Sequence, residues 1–229
     1  MFSRLLLAAS LIFSPLLAQA ADYPWNTLRE GFAARNQLLL VGYQEGDREA
    51  YNLAVERVNR TPAGLPAEAQ AAWQKMKELT LTVDPEAGYL ELYTVIDFDA
   101  ALQAYRSALG NADMAPDSLA PAQRLQRWQA QLELLTGQYI ARATSASGDG
   151  YRTALSDSLP PLNQFTEEMD AELKAISQAL AGDASMQGKL KSVAQQWAYV
   201  KKPIGDLNAR SVVFVVTRVV DKIQRDLSQ

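Results

Sequence analysis

The sequence predicts an all-α protein, folded as an elongated antiparallel helical bundle made of two similar helical halves. Three observations predict this fold class. Apolar residues recur at three- and four-residue spacing along most of the chain, and breaks rich in glycine and proline separate those segments. Only two runs alternate β-branched and aromatic residues as strands do, and two are too few to build a sheet.

Residues 1–20 predict a cleaved secretory signal peptide. Arg4 supplies its positive start, a short apolar run interrupted by Pro15 follows, and Ala18-Gln19-Ala20 is a small-x-small cleavage site. The run is shorter than the roughly 20 continuous apolar residues of a membrane span. We therefore expect a periplasmic mature chain that begins at Ala21 and has no membrane span.

Residues 21–111 are predicted to form an N-terminal half of four helices. The first covers Thr27 to Tyr43, Asp47 caps the second, Pro66 opens the third, and the fourth carries an apolar stripe that Leu92 widens. The alternative is a β-hairpin over Leu79 to Ile96, in which the break in the middle of this run would be the turn between two strands. We favour helices because this run continues in register into a clear helical pattern.

Residues 112–121 are predicted to be a linker and 122–229 a C-terminal helical half. The helix after the linker has a buried stripe, and a later helix opens after Pro160-Pro161. The last segment, Ser185 to Leu227, changes phase near Gly205 to Asn208. Its run from Val212 to Val220 is rich in β-branched residues, so a strand is the alternative there. The buried stripe consists of Leu125, Trp128, Leu132, Leu135 and Tyr139.

The composition excludes most catalytic mechanisms. The chain has no histidine and no cysteine, which removes imidazole bases, thiolate nucleophiles, disulfides and zinc fingers. Asp97 and Asp99 point about 200° apart on a helix, so they cannot flank one bond. The acidic cluster from Glu167 to Glu172 is interpreted as a hydrated face. We expect a protein that is not an enzyme and has no cofactor and no metal; a carboxylate-dependent hydrolase is the least favoured function.

A stripe of arginine and glutamine side chains predicts a candidate binding site. It lies on the helix after the linker, roughly 90° from the apolar stripe and beside Trp128, where it could hold a carboxylate or another anion between helices. The alternative is a solvated flank that forms salt bridges with the acidic helices. The predicted binding residues are Arg124, Arg127, Trp128, Gln131 and Arg142, with Gln138 on the same stripe.

Several segments resemble the PilJ-type domain, the periplasmic helical module of the type IV pili methyl-accepting chemotaxis transducer. In the N-terminal half these are Val83 to Glu86 and Phe98 to Tyr105, followed by Gly110-Asn111. In the C-terminal half, Phe165 to Ile176 resembles the same helix. The segment from Gln196 to Ile223 resembles the family's last pair of helices, which starts at a tryptophan. The resemblance implies a tandem pair of helical sensory modules.

The chain departs from that family at its arginine-rich helix start, Gly-Arg-Gln-Arg-Met-Leu-Ser-Gln-Arg. The corresponding stretches here, Ala72 to Met76 and Arg124 to Gln129, keep only fragments of it. The membrane span and the cytoplasmic signalling part of the family's receptors have no counterpart in the sequence. A chain of this kind would need another protein to relay a signal.

Two hypotheses for function follow from the sequence. The first is a noncatalytic periplasmic binding or sensory accessory module that acts through an envelope partner or a small anionic ligand. The second is an envelope-structural protein that forms a homo-oligomer through its valine-rich C-terminal helix. Nucleic acid is not an expected partner, because removing Arg4 leaves 21 basic and 26 acidic residues and a net charge of −5.

Overall fold

The computed structural model describes residues 24–44, 47–87, 89–110, 118–144, 153–206 and 212–228. In these residues the chain forms helices and no strand, which confirms the all-α prediction. One 3-10 turn lies between the third and fourth helices, at Pro85–Ala87. The α-helices are α1 (Trp25–Tyr43), α2 (Arg48–Asn59), α3 (Ala67–Leu81), α4 (Leu92–Leu109), α5 (Pro121–Thr144), α6 (Ala154–Asp157), α7 (Leu162–Ala179), α8 (Ala184–Gly205) and α9 (Val213–Ser228).

The long helices form two circuits joined at their centre. In the N-terminal circuit α1 packs on α2, α2 on α3, α3 on α4, and α4 returns to α1. The C-terminal circuit repeats this order with α5, α7, α8 and α9, and α9 returns to α5. The most extensive helix pair, α1 with α5, joins the two circuits. The similarity of the two halves stays a prediction.

Both strand alternatives are wrong. The run from Leu79 to Ile96 contains the end of α3, the 3-10 turn and the start of α4, and the run from Val212 to Val220 lies mostly in α9. Val95, Phe98 and the apolar residues that follow at helical spacing are buried, as a helix requires. The expectation that Leu92 widens this stripe is also wrong, because Leu92 stands at the first position of α4 and is 46% exposed.

Several predicted boundaries lie outside the described residues. These are the signal peptide, the linker up to residue 117 and the second half of the phase change predicted near Gly205 to Asn208, where α8 ends at Gly205. Asp47 caps α2 as predicted, since its side chain accepts a hydrogen bond from the backbone N–H of Glu49. Pro121 begins α5, although the sequence analysis placed it at the end of the linker.

The middle of helix α1, residues 31–36, is buried on all sides, which the sequence analysis did not predict. The apolar spacing of the sequence places Leu28, Phe32, Leu39 and Tyr43 on one side; the first three are buried and Tyr43 is half-buried. Arg35 and Asn36 are buried as well, because α2, α4 and α5 together surround the helix. At Gly31 a Cβ atom would lie 2.9 Å from side-chain atoms of α4, so the absence of a side chain permits this close packing.

A buried ion pair connects α1 to α4. The Arg35 guanidinium donates from Nε to Asp99 Oδ1 at 2.5 Å and from Nη2 to Asp99 Oδ2 at 2.9 Å. The two residues are 3% and 2% exposed. Asp99 also accepts a hydrogen bond from the Thr153 hydroxyl, and Thr153 caps α6. One carboxylate therefore holds α1, α4 and α6 together.

The tryptophans on the apolar stripes are core residues, as the sequence predicts. Trp73, Trp128 and Trp197 are at most 1% exposed. Trp73 donates from Nε1 to the carbonyl of Val58, and Trp128 donates to the carbonyl of Met169, both at 2.9 Å. Each bond satisfies the polar atom of a buried indole and joins two neighbouring helices.

Breaking the buried ion pair should destabilise the fold strongly. In Arg35→Met the Asp99 carboxylate stays buried without its cation, and we expect the free energy of unfolding to fall by about 3–5 kcal/mol. The double variant Arg35→Met/Asp99→Leu removes both charges and should recover most of that loss. Urea denaturation measures all three free energies.

Arg48→Met is the matched control for this prediction, because it breaks an exposed pair in which Arg48 Nη2 lies 2.7 Å from Glu86 Oε1. Its effect should stay below about 1 kcal/mol. If Arg35→Met were no more destabilising than Arg48→Met, the buried pair would not hold the helices as described.

Candidate ligand-binding site

The five predicted binding residues all lie on α5 but do not converge on one ligand. Arg124 and Arg142 are eighteen residues apart on this helix, or about 27 Å at 1.5 Å per residue. A small anion cannot contact both ends of such a stripe. The stripe is best considered residue by residue.

At its N-terminal end the stripe contacts other parts of the protein. The Arg124 guanidinium forms a bidentate pair with Glu172 of α7, from Nε to Oε1 at 2.9 Å and from Nη2 to Oε2 at 2.7 Å. The Arg127 guanidinium carbon lies 5.9 Å from the ring centroid of Trp25. The pair with Glu172 is the kind of salt bridge to an acidic helix that the alternative interpretation expects.

The other three residues lie further along the same helix. Trp128 is fully buried and packs edge-on against Trp197, with ring centroids 5.9 Å apart, and Gln131 is half-buried. The Arg142 guanidinium lies 5.9 Å from the Tyr139 ring and donates weakly to the carbonyl of Asp206 at 3.4 Å. None of the five predicted residues lines the cavity described next.

A cavity of about 340 Å³ lies between α1, α2, α5 and α9. Volumes of this size hold small molecules in other proteins. Its walls combine apolar side chains from three helices, two of them aromatic, with polar and charged side chains from all four helices. The apolar and aromatic lining consists of Ala33, Leu40, Tyr43, Ala50, Leu53, Val213, Phe214 and Val220.

The polar side of the cavity is built on a contact between Asn36 of α1 and Glu133 of α5. Asn36 Nδ2 donates to the backbone carbonyl of Glu133 at 2.9 Å and to Glu133 Oε2 at 2.8 Å. Glu133 is 8% exposed and lines the cavity. No described residue donates a hydrogen bond to its other carboxylate oxygen, Oε1, or forms a salt bridge with it. The carboxylate therefore has one neutral donor from the described residues, and its second oxygen is accessible from the cavity.

Gly137 of α5 makes this contact possible. A Cβ atom at this position would lie 2.3 Å from Asn36 Oδ1 and 2.9 Å from Arg35 Nη1. With no side chain at Gly137, the polar residues of α1 can enter between the turns of α5. The Asn36 amide then reaches the carbonyl and the carboxylate of Glu133 one turn earlier.

The environment of Glu133 changes its acidity. Burial, and to a smaller extent the negative charge of Asp221 on α9, raises the pKa of the Glu133 carboxyl to about 7. Arg57 of α2, the Asn36 hydrogen bond and Arg29 of α1 lower it, but by less. Desolvation likewise raises the pKa of Asp221, against the lowering effects of Arg225 and Arg57. Perturbed carboxylates in a cavity are typical of functional sites.

Charged residues around the cavity are mainly acidic. Both cations of the lining have other contacts: Arg57 Nη1 lies 2.8 Å from Glu30 Oε2, and the Arg218 guanidinium carbon lies 4.3 Å from the Phe214 ring centroid. Arg218 is exposed, so it reaches solvent without a buried partner. The acidic residues of the lining are Asp47, Glu49, Glu133 and Asp221.

Comparison with protein-family models, curated proteins and solved structures finds no match to this chain. The resemblance to the PilJ-type domain therefore stays a prediction. Within the described ranges, no helix has both the length and the hydropathy needed to cross a bilayer.

The sequence analysis missed the residues that form this site. Glu133 follows Leu132 in the sequence but lies outside the apolar stripe of α5, and a single acidic residue there carries little periodic signal. Two signals could have pointed to it. Arg35-Asn36 stands between the apolar residues Phe32 to Ala34 and Leu38 to Val41 of α1, and Gly137 occupies the interior of a long helix, where glycine is unfavourable without a packing reason.

The raised pKa of Glu133 predicts a specific pH dependence of stability. The folded chain binds this proton more tightly than the unfolded chain, whose pKa is near 4.5. The contribution is therefore fully present below that value and is lost as the pH rises to about 7, to the extent of about 3 kcal/mol. Glu133→Gln cannot ionise, so its free energy of unfolding should exceed that of the wild type increasingly between pH 5 and 8.

Urea denaturation at several pH values tests this difference. Glu167→Gln removes an exposed carboxylate of α7 and should give a curve parallel to the wild type. If the Glu133→Gln curve were also parallel, the Glu133 carboxyl would not have a raised pKa.

A methyl group at position 137 should destabilise the fold, although alanine is the better helix former. Gly137→Ala must displace the Asn36 amide or the Arg35 guanidinium, and we expect the free energy of unfolding to fall by about 1–3 kcal/mol. Gly188→Ala in α8 is the matched control, since nothing lies within 4 Å of its added Cβ. The free energy of unfolding of that control should rise by up to about 1 kcal/mol. Equal gains at both positions, measured by thermal unfolding, would contradict the close contact.

Proposed function

We propose that this chain is a noncatalytic periplasmic binding module that holds a small molecule in the cavity between α1, α2, α5 and α9. It would act through an envelope partner. The observation that carries the proposal is the buried Glu133 carboxylate, which lines the cavity and has one neutral donor. A ligand that completes its hydrogen bonding would stabilise the folded state.

The position of the cavity supports a sensory role. Helices α1 and α2 belong to the N-terminal circuit, and α5 and α9 belong to the C-terminal circuit. A bound molecule would contact both circuits at once. It would therefore favour one arrangement of α2 relative to α9, and a partner that contacts either helix could detect the change.

The two other hypotheses have less support. The valine-rich face of α9 is used within the chain, because Val213, Val216 and Val220 are buried, which leaves Phe214 and Val215 as its exposed apolar side chains. An oligomer would have to form on that smaller surface. For a hydrolase, Asp97 is exposed while Asp99 is tied to Arg35, so this pair does not meet at one site.

Filling the cavity should abolish ligand binding. Thr217 of α9 is half-buried and lines the cavity, so Thr217→Trp places an indole in the space available to a ligand. A thermal-shift screen of amines, amino acids and small anions should find compounds that stabilise the wild type. Those compounds should not stabilise Thr217→Trp.

The control is Thr94→Trp, which adds the same indole at a half-buried position of α4 outside the cavity lining. It should respond to ligands as the wild type does. The proposal fails if every stabilising compound acts equally on Thr217→Trp, or if no compound acts on the wild type.

A further inference from the structure

The cavity contains a buried carboxylate that lacks a cation. Glu133 forms no ion pair within 4 Å in the described residues. The positive charges of Arg57 and Arg29 act on it from a longer distance. Its single side-chain partner, Asn36, is neutral. A buried carboxylate is normally paired with a cation or satisfied by several donors. The missing group is a donor, and a positively charged donor suits it best.

A second hydrogen-bond acceptor lies on the same face of α5 as Glu133. Thr136 lies three residues after Glu133, on the same side of the helix, and also lines the cavity. Its hydroxyl donates to the carbonyl of Leu132 at 2.7 Å, so the lone pairs of its oxygen remain as acceptors. An ammonium group has three donors and no acceptor, and it complements this surface.

The rest of the lining suits an aliphatic chain with a second positive charge. Ala33, Ala50 and Leu53 supply apolar wall, against which methylene groups can pack. Two further carboxylates line the cavity and form its acidic rim: Glu49, which is exposed, and Asp221. Neither forms a salt bridge within 4 Å in the part of the chain described. The two arginines of the lining are already engaged with Glu30 and Phe214.

We propose that the cavity binds a small linear aliphatic diamine, with one ammonium group on the Glu133 carboxylate and the other near the acidic rim. This inference rests on the proposed binding function and names the ligand class of the same site. It differs from the anion that the arginine stripe of α5 suggested. The best placed arginine of that stripe, Arg124, already holds the Glu172 carboxylate.

Binding of a diamine should depend on pH. The charged groups that act on Glu133 are Asp221 from α9, Arg57 from α2 and Arg29 from α1, and the pKa of Glu133 is about 7 without ligand. Only the ionised carboxylate pairs with ammonium, while the amines stay protonated throughout this range. The association constant should therefore rise about tenfold from pH 6 to pH 8, with proton release at the lower pH.

Isothermal titration calorimetry with putrescine tests the proposal on the purified protein. We expect binding to the wild type, a loss of at least about tenfold in Glu133→Gln, and loss of the pH dependence in that variant. Glu133→Gln removes a buried charge and should fold at least as well as the wild type. Butanediol has the same chain with neutral ends and should bind at least about tenfold more weakly.

Glu167→Gln is the control for loss of one negative charge elsewhere, and its affinity for putrescine should equal that of the wild type. The inference is overturned if butanediol binds as tightly as putrescine, or if Glu133→Gln keeps the affinity of the wild type. It is also overturned if putrescine does not bind while another compound stabilises the wild type but not Thr217→Trp. In that last case the proposed binding function stands and only the ligand class is wrong.

Discussion

The fold depends on the burial of two polar side chains at the centre of α1. Burying a guanidinium or an amide without partners costs several kcal/mol, so Arg35 and Asn36 restrict which neighbours α1 can accept. Arg35 requires the carboxylate of Asp99 on α4, and Asn36 requires acceptors on α5, which Glu133 supplies. Apolar packing alone would tolerate several rotations of α1 among its neighbours. These two contacts select one rotation.

The same contacts leave the site incomplete. Asp99 receives a full set of partners, with two bonds from Arg35 and one from Thr153, whereas Glu133 receives one neutral amide. The two carboxylates are comparably buried, so burial does not explain the difference. The difference is that Asp99 lies inside the packed core and Glu133 faces a cavity. Incomplete satisfaction beside a cavity is a feature of binding sites, where local stability is given up for function.

The helices could be predicted from the sequence and their contacts could not. Periodicity identified the apolar stripes of α4 and α5, because a helix face is a property of residues within one turn of each other. Arg35 and Asp99 are 64 residues apart, and Asn36 and Glu133 are 97 residues apart. A single sequence contains no pattern that predicts a contact between residues so far apart along the chain. It also cannot show that α1 is surrounded by other helices.

Helix α5 carries two different polar surfaces, which explains why the sequence pointed to arginines and the cavity contains a carboxylate. Glu133 is nine residues from both Arg124 and Arg142, and nine residues are two and a half helical turns, so Glu133 lies on the opposite side. The arginine side reaches α7 through Glu172, and the Glu133 side faces α1 and the cavity. A cluster of arginines is conspicuous in a sequence because its members repeat. A single carboxylate outside the apolar stripe is not conspicuous, yet its burial makes it the stronger determinant of what can bind.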